Sequence, residues 1–438
     1  MDKYQLISQP VPKLFFQYLI PAVSGTMVSA VYILADTIII GKGIGATALA
    51  ALNIVLPLFN IIYGAGLLFG VGGSVLMSIC RGRGHDEKGQ RYFTAAFLLN
   101  LLAGILYISV FFIFEKKILV FLGGTPVTMP YIMSYAPYLS GGALFLCFST
   151  FLQAFVRNDG APRLAMTAVI TGGIFNLIFD ILLVFPLQMG MAGAALASVT
   201  GTALADCILL SHFFTKKNGL RFRFKGLTTL YFKTVFSNGF TSFLTEISTG
   251  IVIFVFNLQL LRYVGDIGVS AYGVISNTAY VVAAISNGIS QAAQPILSTN
   301  YGASKFERIG EVRRIGIKTS LAICAIPAVF GIFAPGVFTH IFLNPTAEVL
   351  ALSTSAIRIY FIGFFVIGIN IFMINYFQSV ARPKISFVLC LLRGCILNVL
   401  FVSVLPLFWG VNGIWMAAPL TEFTSLGIGV FLTKKISH

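Results

Sequence analysis

The sequence predicts an all-α polytopic membrane protein: twelve transmembrane helices in two six-helix lobes, related by a pseudo-two-fold axis along the membrane normal. Three observations carry this expectation. The 438 residues are 57% hydrophobic and only 10% charged, whereas a soluble domain carries about 25% charged residues. Apolar runs of membrane-spanning length recur along the whole chain. Polar landmarks of the first half return in the second. The mean hydropathy of +0.92 agrees, and 42 Phe with 16 Tyr exclude a disordered chain.

A helix needs about 20 apolar residues to cross a bilayer. Such runs lie at 14–40, 47–79, 92–114, 131–156, 162–186, 190–214, 233–262, 268–299, 313–334, 352–380, 384–407 and 411–433. The first is too long for the apolar core of a cleavable signal and reads as a retained signal anchor. The basic residues orient the spans. With the N-terminus cytoplasmic, only Lys42, Lys116, Lys117, Arg262 and Arg358 of the 29 Lys and Arg fall on the opposite side. That asymmetry is the positive-inside pattern. Both termini are therefore expected in the cytoplasm, with a bacterial cytoplasmic membrane as the setting. The net charge of +15 reads as a topology signal with anionic membrane lipid as a secondary partner. It does not read as a nucleic-acid footprint, and no feature calls for an obligate protein partner.

The longest polar connector, TKKNGLRFRFKGLTTLYF at 215–232, separates an N-lobe (1–214) from a C-lobe (233–438). Residues 44–48 match 267–271, and Ser78 and Gly82 match Ser298 and Gly302. Gln153 and Arg157 match Gln378 and Arg382, Asn176 matches Asn398, and Gly193 matches Gly413. With six spans in each half, the repeats share one orientation, so their axis runs along the membrane normal. A cleft between the lobes is expected.

An ionisable residue at membrane depth costs about 2.5–3.5 kcal/mol on insertion scales and usually faces a cavity, a partner or an ion path. Asp36, Asp180, Glu246 and Glu422 are the deepest acids. Asp36 follows Gly25, Ser29 and Tyr32 at helical spacing, forming a polar stripe that ends in a carboxylate. The alternative is a structural Asp at the helix end, paired with Lys42. Asn176 and Asp180 are i, i+4 on the fifth span, with Ser198 within reach across a short turn. A carboxylate, an amide oxygen and a hydroxyl suit a hard cation such as Na⁺, and a carboxylate shielded from water also takes up a proton. The pattern fits Na⁺ and H⁺ equally, and also a polar network that glues helices.

Further stripes suggest cavity walls. Asn277, Tyr280, Asn287 and Gln291 share a face of the eighth span, as Asn53 and Asn60 do on the second. Glu246 lies with Asn257 on the seventh and suits either attraction of a cationic substrate or an interhelical bond. Glu422 and Asp206 read as helix-packing groups, and Arg393 as a residue that snorkels or pairs with a carboxylate. Pro21, Pro57, Pro137, Pro295 and Pro327 fall within spans, where proline is tolerated as a kink. Pro21 stands fifteen residues before Asp36, so bending there would move the stripe.

The chain has no phosphate-binding loop and no hydrolase motif, so it reads as a non-enzyme with no cofactor. Its six Cys form no C-x-x-C pair and read as small buried hydrophobes. Its four His are scattered without metal-ligand spacing.

Four segments resemble the multidrug and toxic compound extrusion (MATE) family: ADTIIIGKGIGATALAALNI at 35–54, FVRNDGAPRLAM at 155–166, FNLIFDILLVFPLQMGMAGAALAS at 175–198 and GFTSFLTEISTGIVIFVFN at 239–257. The resemblance implies a V-shaped exporter of amphipathic, mostly cationic compounds, driven by antiport with Na⁺ or H⁺ through alternating access. It implies a cation site at Asp36, Asn176 and Asp180, with Ser198 where the family often has Thr. It also implies first-helix bending at Pro21 and a C-lobe acidic position at Glu246. A flippase for lipid-linked saccharides is the alternative, although the deep charges are mostly acidic. An intramembrane enzyme is a weaker one.

Overall fold

The computed structural model describes residues 3–216, 218–342 and 345–436; Lys217 and His438 lie outside them. The described residues are almost entirely helical and contain no strand. In hydrocarbon every backbone N–H and C=O must be satisfied internally, which a helix achieves within one segment.

A short helix α1 (Lys3–Ser8) precedes α2 (Val11–Gly43), α3 (Ala46–Gly82) and α4 (Asp86–Phe121). Helices α5 (Met129–Gly141) and α6 (Ala143–Asn158) form one span bent by 51°. Then come α7 (Pro162–Val184) and α8 (Gly190–Leu210), both membrane-spanning in length. The second half holds α9 (Thr229–Tyr263), α10 (Asp266–Gly302), α11 (Phe306–Phe333) and the short α12 (Pro335–Phe342). It continues with α13 (Ala347–Tyr360) and α14 (Phe364–Ser379), which join through a 3₁₀ turn into one span. Helices α15 (Pro383–Leu391) and α16 (Leu397–Val404) join through a π-helical turn at Leu392–Ile396, and α17 (Pro406–Ile436) follows.

Among the described residues, eleven helices are long and apolar enough to span a membrane, or twelve when the bent pair counts as one. Each of the twelve expected spans coincides with one of them. Proline opens α7 and α15, where its missing N–H is harmless. All five expected prolines lie within helices, and the backbone of α2 stays helical through Pro21. The six cysteines are free; Cys80, Cys147, Cys324 and Cys390 are buried, while Cys207 is exposed and Cys395 half-buried.

The internal repeat is visible in the backbone. Left-handed turn residues recur in pairs 220 or 221 positions apart: Gly45 and Gly265, Gly84 and Ser304, Gly160 and Ala381, Gly190 and Gly410. Helices α3 and α10 likewise end on Gly82 and Gly302. Two sequence matches shift. Gln153 and Arg157 stand 225 positions before Gln378 and Arg382, four more than separate the adjoining turn residues Gly160 and Ala381. The turn partner of Gly45 is Gly265, whereas Gly268 lies within α10. The repeated I-G dipeptide drew the sequence alignment three residues out of step.

The chain packs as two compact units, 1–247 with 298–306, and 248–297 with 307–438. In the first unit, α7 and α8 touch along glycines. A Cβ on Gly172 would lie 2.7 Å from the Gly201 carbonyl oxygen, and one on Gly201 equally close to that of Gly172. Lipid chains are as apolar as leucine, so membrane helices associate by such close backbone approach.

The segment joining α8 to α9 is fastened to the first unit. Asp159, at the end of α6, accepts hydrogen bonds from Arg81, from the Gly219 N–H (2.8 Å) and from His212, whose Nε2 is 2.6 Å away. The Arg223 N–H donates to Thr94 Oγ1 (2.8 Å), its guanidinium pairs with Glu87 (2.8 Å), and Leu220 is buried. The Phe222 ring packs on Phe93 and Phe97. Burial pushes the Asp159 carboxyl up, but the hydrogen bond to His212, the Arg81 charge and the Gly219 N–H outweigh it and hold the group below its usual range.

Two outcomes are expected. Asp159→Ala strands buried donors and loosens 215–228, so trypsin cleaves there on the order of ten times faster than in wild type; unchanged cleavage would contradict the anchoring role. Because the Asp159 carboxyl is lowered, its contribution is complete above the ordinary carboxylate value of about 3.9 and fades only as pH falls below it. Gly201→Val drives α8 from α7 and lowers stability by about 1–3 kcal/mol, read as an earlier thermal midpoint in detergent.

Candidate functional site

The first unit holds a half-open cavity among α2, α3, α5, α6, α7 and α8, with about 1050 Å³ of space when the open solvent at its mouth is included. Ser29, Tyr32 and Asp36 of the α2 stripe all line it, and the fourth member, Gly25, faces the backbone of Met166 on α7. Opposite stand Asn176 from α7 and Ser198 from α8. Tyr63, Tyr135, Ser149, Thr150, Gln153 and Thr202 complete its polar wall. No lysine or arginine lines it.

Ser198 bridges the helices. Its hydroxyl donates to Asp36 Oδ2 (3.3 Å) and accepts from Asn176 Nδ2 (3.3 Å). The glycine contact between α7 and α8 brings these two helices close enough for that bond: a Cβ on Gly201 would also lie 2.9 Å from Asn176 Cβ. Four oxygens are left over. Asp36 Oδ1, Asn176 Oδ1 and both carboxylate oxygens of Asp180 are buried without a hydrogen-bond partner. Asp180 is fully buried one turn beyond Asn176 and does not itself line the cavity. Its i, i+4 spacing puts it on the Asn176 side of α7.

Buried polar atoms in proteins almost always have partners, so this concentration calls for a physical reason. Two carboxylates with a neighbouring amide oxygen and hydroxyl offer only acceptors to anything small and positive. A proton or a dehydrated hard cation satisfies them; an anion does not. The donor set therefore fits Na⁺ as well as H⁺. Among the described residues no three His, Cys, Asp or Glu gather as a transition-metal site.

The other candidates lie elsewhere. Asn53 is exposed and Asn60 half-buried on α3, and neither lines the cavity; Leu52, Val55, Leu56, Phe59 and Tyr63 turn toward it instead. Glu246 belongs to the first unit, where Gly64 of α3 faces Phe243 and the Glu246 Cβ. Asn257, Asn277, Asn287 and Gln291 are half-buried and Tyr280 is 39% exposed, all on the parts of α9 and α10 in the second unit. Asp206 is buried with Oδ1 unpartnered. The sequence reading missed Tyr135 and Gln153, which sit on the broken fourth span; Gln153 was noted only as a repeat match.

The second unit treats its deep carboxylate differently. Arg393 contacts Glu422 through Nη2 at 2.7 Å and through Nε at 2.9 and 3.0 Å, and Asn370 Nδ2 donates to Glu422 Oε2 at 2.7 Å. Arg393 sits in the π-helical turn, whose extra residue changes which way the following side chains face. Glu422 is thus charge-compensated, whereas Asp36 and Asp180 have no basic partner among the described residues.

Comparison with known proteins places this geometry in a family. The MatE family profile matches residues 21–182 and 240–404. The multidrug export protein MepA of Staphylococcus saprophyticus is 23% identical over 416 residues, covering 94% of this chain and 90% of the relative. MepA of Staphylococcus aureus strain MSSA476 is 23% identical over 424 residues, covering 96% and 92%. A MATE transporter solved in complex with MaL6 superposes with a TM-score of 0.94 at 20% identity, covering 100% of this chain and 99% of the other. An outward-facing multidrug resistance MATE transporter does so with a TM-score of 0.93 at 21% identity, covering 100% and 98%. Together with the membrane-spanning helices, the two-part profile match means that the chain belongs to the MatE family of membrane transporters and is not an enzyme.

Proposed function

We propose that this protein exports amphipathic, mostly cationic organic compounds from the cytoplasm by antiport with Na⁺ or H⁺, the lobes 1–214 and 233–438 alternating in access. The carrying observation is the pair of uncompensated buried carboxylates: Asp36, which lines a cavity without basic residues beside Asn176 and Ser198, and Asp180, buried one turn beyond Asn176 on α7. The naming of the MepA relatives as multidrug export proteins supports outward transport of drugs. In this reading both termini are cytoplasmic, the membrane is the bacterial cytoplasmic membrane, and Na⁺ or H⁺ is the coupling ion, with no resident cofactor.

The coupling is thermodynamic. A cation at Asp36 and Asp180 neutralises the acidic wall that otherwise attracts a cationic substrate, so the two compete. Exchange requires only that each favours a different conformation. Ser198, bonded to both Asp36 and Asn176, transmits occupancy between α2 and α7 across α8. Pro21, buried on α2, is the point at which that helix can bend. Glu246 with Asn257, Asn277, Tyr280, Asn287 and Gln291 supplies further polar surface along the substrate route, and Tyr32 does so in the cavity of the N-lobe.

Transport of ethidium into proteoliposomes under separately imposed Na⁺ and H⁺ gradients tests this. Asp36→Asn and Asp180→Asn are each expected to slow gradient-driven uptake at least about tenfold, the effect of roughly 1.4 kcal/mol. Ser198→Ala loses less, because one neutral hydrogen bond contributes about 0.5–1.5 kcal/mol. Full activity in both Asn variants would sink the assignment. Glu422→Gln is expected to lower the thermal midpoint by stranding the Arg393 charge, while the surviving transport keeps its dependence on the ion gradient. Loss of that dependence would place coupling in the second unit.

A further inference from the structure

The second unit holds a half-open cavity among α11, α14, α15 and α17, with about 880 Å³ of space when the open solvent at its mouth is included, opposite in character to the first. Its polar wall carries two guanidinium groups, Arg313 and Arg393, and the rest is mainly apolar, including Ile317, Met373 and Val430. Glu422 neutralises Arg393. Arg313 is half-buried, packs over the Tyr376 ring at 5.7 Å and pairs with no carboxylate among the described residues. The cavity therefore presents one net positive charge at the end of an apolar chamber.

The position of that charge matters. Arg313 lies in the second turn of α11, beside Arg314 and Lys318, and the same end of α15 and α17 carries Arg382, Lys384, Lys434 and Lys435. Val430, on the cavity wall, is 47% exposed, so the chamber reaches an apolar outer surface there. A ligand with an anionic head and an apolar tail matches both ends. Basic pockets between membrane helices are a general way to hold acidic headgroups.

We propose that this cavity binds one anionic phospholipid from the leaflet bordering the basic ends of the helices. Its phosphate pairs with Arg313, and an acyl chain lies along Ile317, Met373 and Val430. The acidic cavity of the first unit then serves cations while this one holds a lipid, and the assignment stands independently of the coupling mechanism.

Thermal unfolding and native mass spectrometry of the full chain in detergent test this with dioleoylphosphatidylglycerol, dioleoylphosphatidylcholine and decyl phosphate. Phosphatidylglycerol is expected to raise the midpoint and to be retained as one copy; phosphatidylcholine does neither. Two variants attack opposite ends of the site. Arg313→Gln removes the head contact. Gly429→Phe projects a ring into the chamber, where the nearest atom to a new Cβ is Leu389 Cδ2 at 4.0 Å. Each is expected to raise the lipid concentration needed at least fivefold, while Arg313→Lys retains binding and Arg314→Gln matches wild type. Equal effects of the two lipids, or wild-type binding by both Arg313→Gln and Gly429→Phe, would overturn the proposal. A response to decyl phosphate alone would also overturn it, by identifying a soluble organic anion as the occupant.

Discussion

The structure depends on how it tolerates carboxylates inside a membrane. Each such group is unfavourable by about 2.5–3.5 kcal/mol on insertion scales, so each must be neutralised, solvated or used. The two units answer differently. In the second, Arg393 and Asn370 surround Glu422 with donors, and the charge is spent internally. In the first, among the described residues, Asp36 receives one hydroxyl and Asp180 no hydrogen-bond partner.

That arrangement in turn demands close helix packing. Ser198 reaches Asp36 and Asn176 together because α8 lies against α7 at Gly172 and Gly201. In lipid no hydrophobic driving force presses helices together, so backbone proximity and a few hydrogen bonds define the geometry. The anchored segment 215–228 extends the same economy to the basic end. One buried carboxylate, Asp159, gathers donors from Arg81, His212 and Gly219.

Much of the fold was legible in the residues, because membrane spans announce themselves by length and composition. All twelve runs correspond to helices, and the repeat reappears as paired left-handed turns. Hydropathy does not register local backbone geometry, so the apolar runs alone do not show the 51° bend before Ala143, the π-helical turn around Arg393 or the short α12, although Pro137, Gly141 and Pro335 stand beside two of these breaks. The α2 stripe was readable because helical periodicity alone puts Ser29, Tyr32 and Asp36 on one face. The same logic misjudged the emphasis on α3, where the neighbouring face bearing Val55, Phe59 and Tyr63 turns to the cavity. Periodicity says which residues share a face, not which face meets a given neighbour. Partner choice, such as Arg393 with Glu422 across 29 positions, depends on tertiary packing that no single stripe encodes.

The central claim is that the acidic site of the first unit is where coupling ion and cationic substrate exclude one another. Equilibrium binding of tetraphenylphosphonium to the detergent-solubilised chain, titrated with Na⁺ at fixed pH and with acid at fixed Na⁺, tests it most directly. The account predicts that one of the two displaces the probe from wild type and fails to do so when Asp36 and Asp180 are both asparagine. Tight probe binding that is indifferent to both ions in wild type would contradict it.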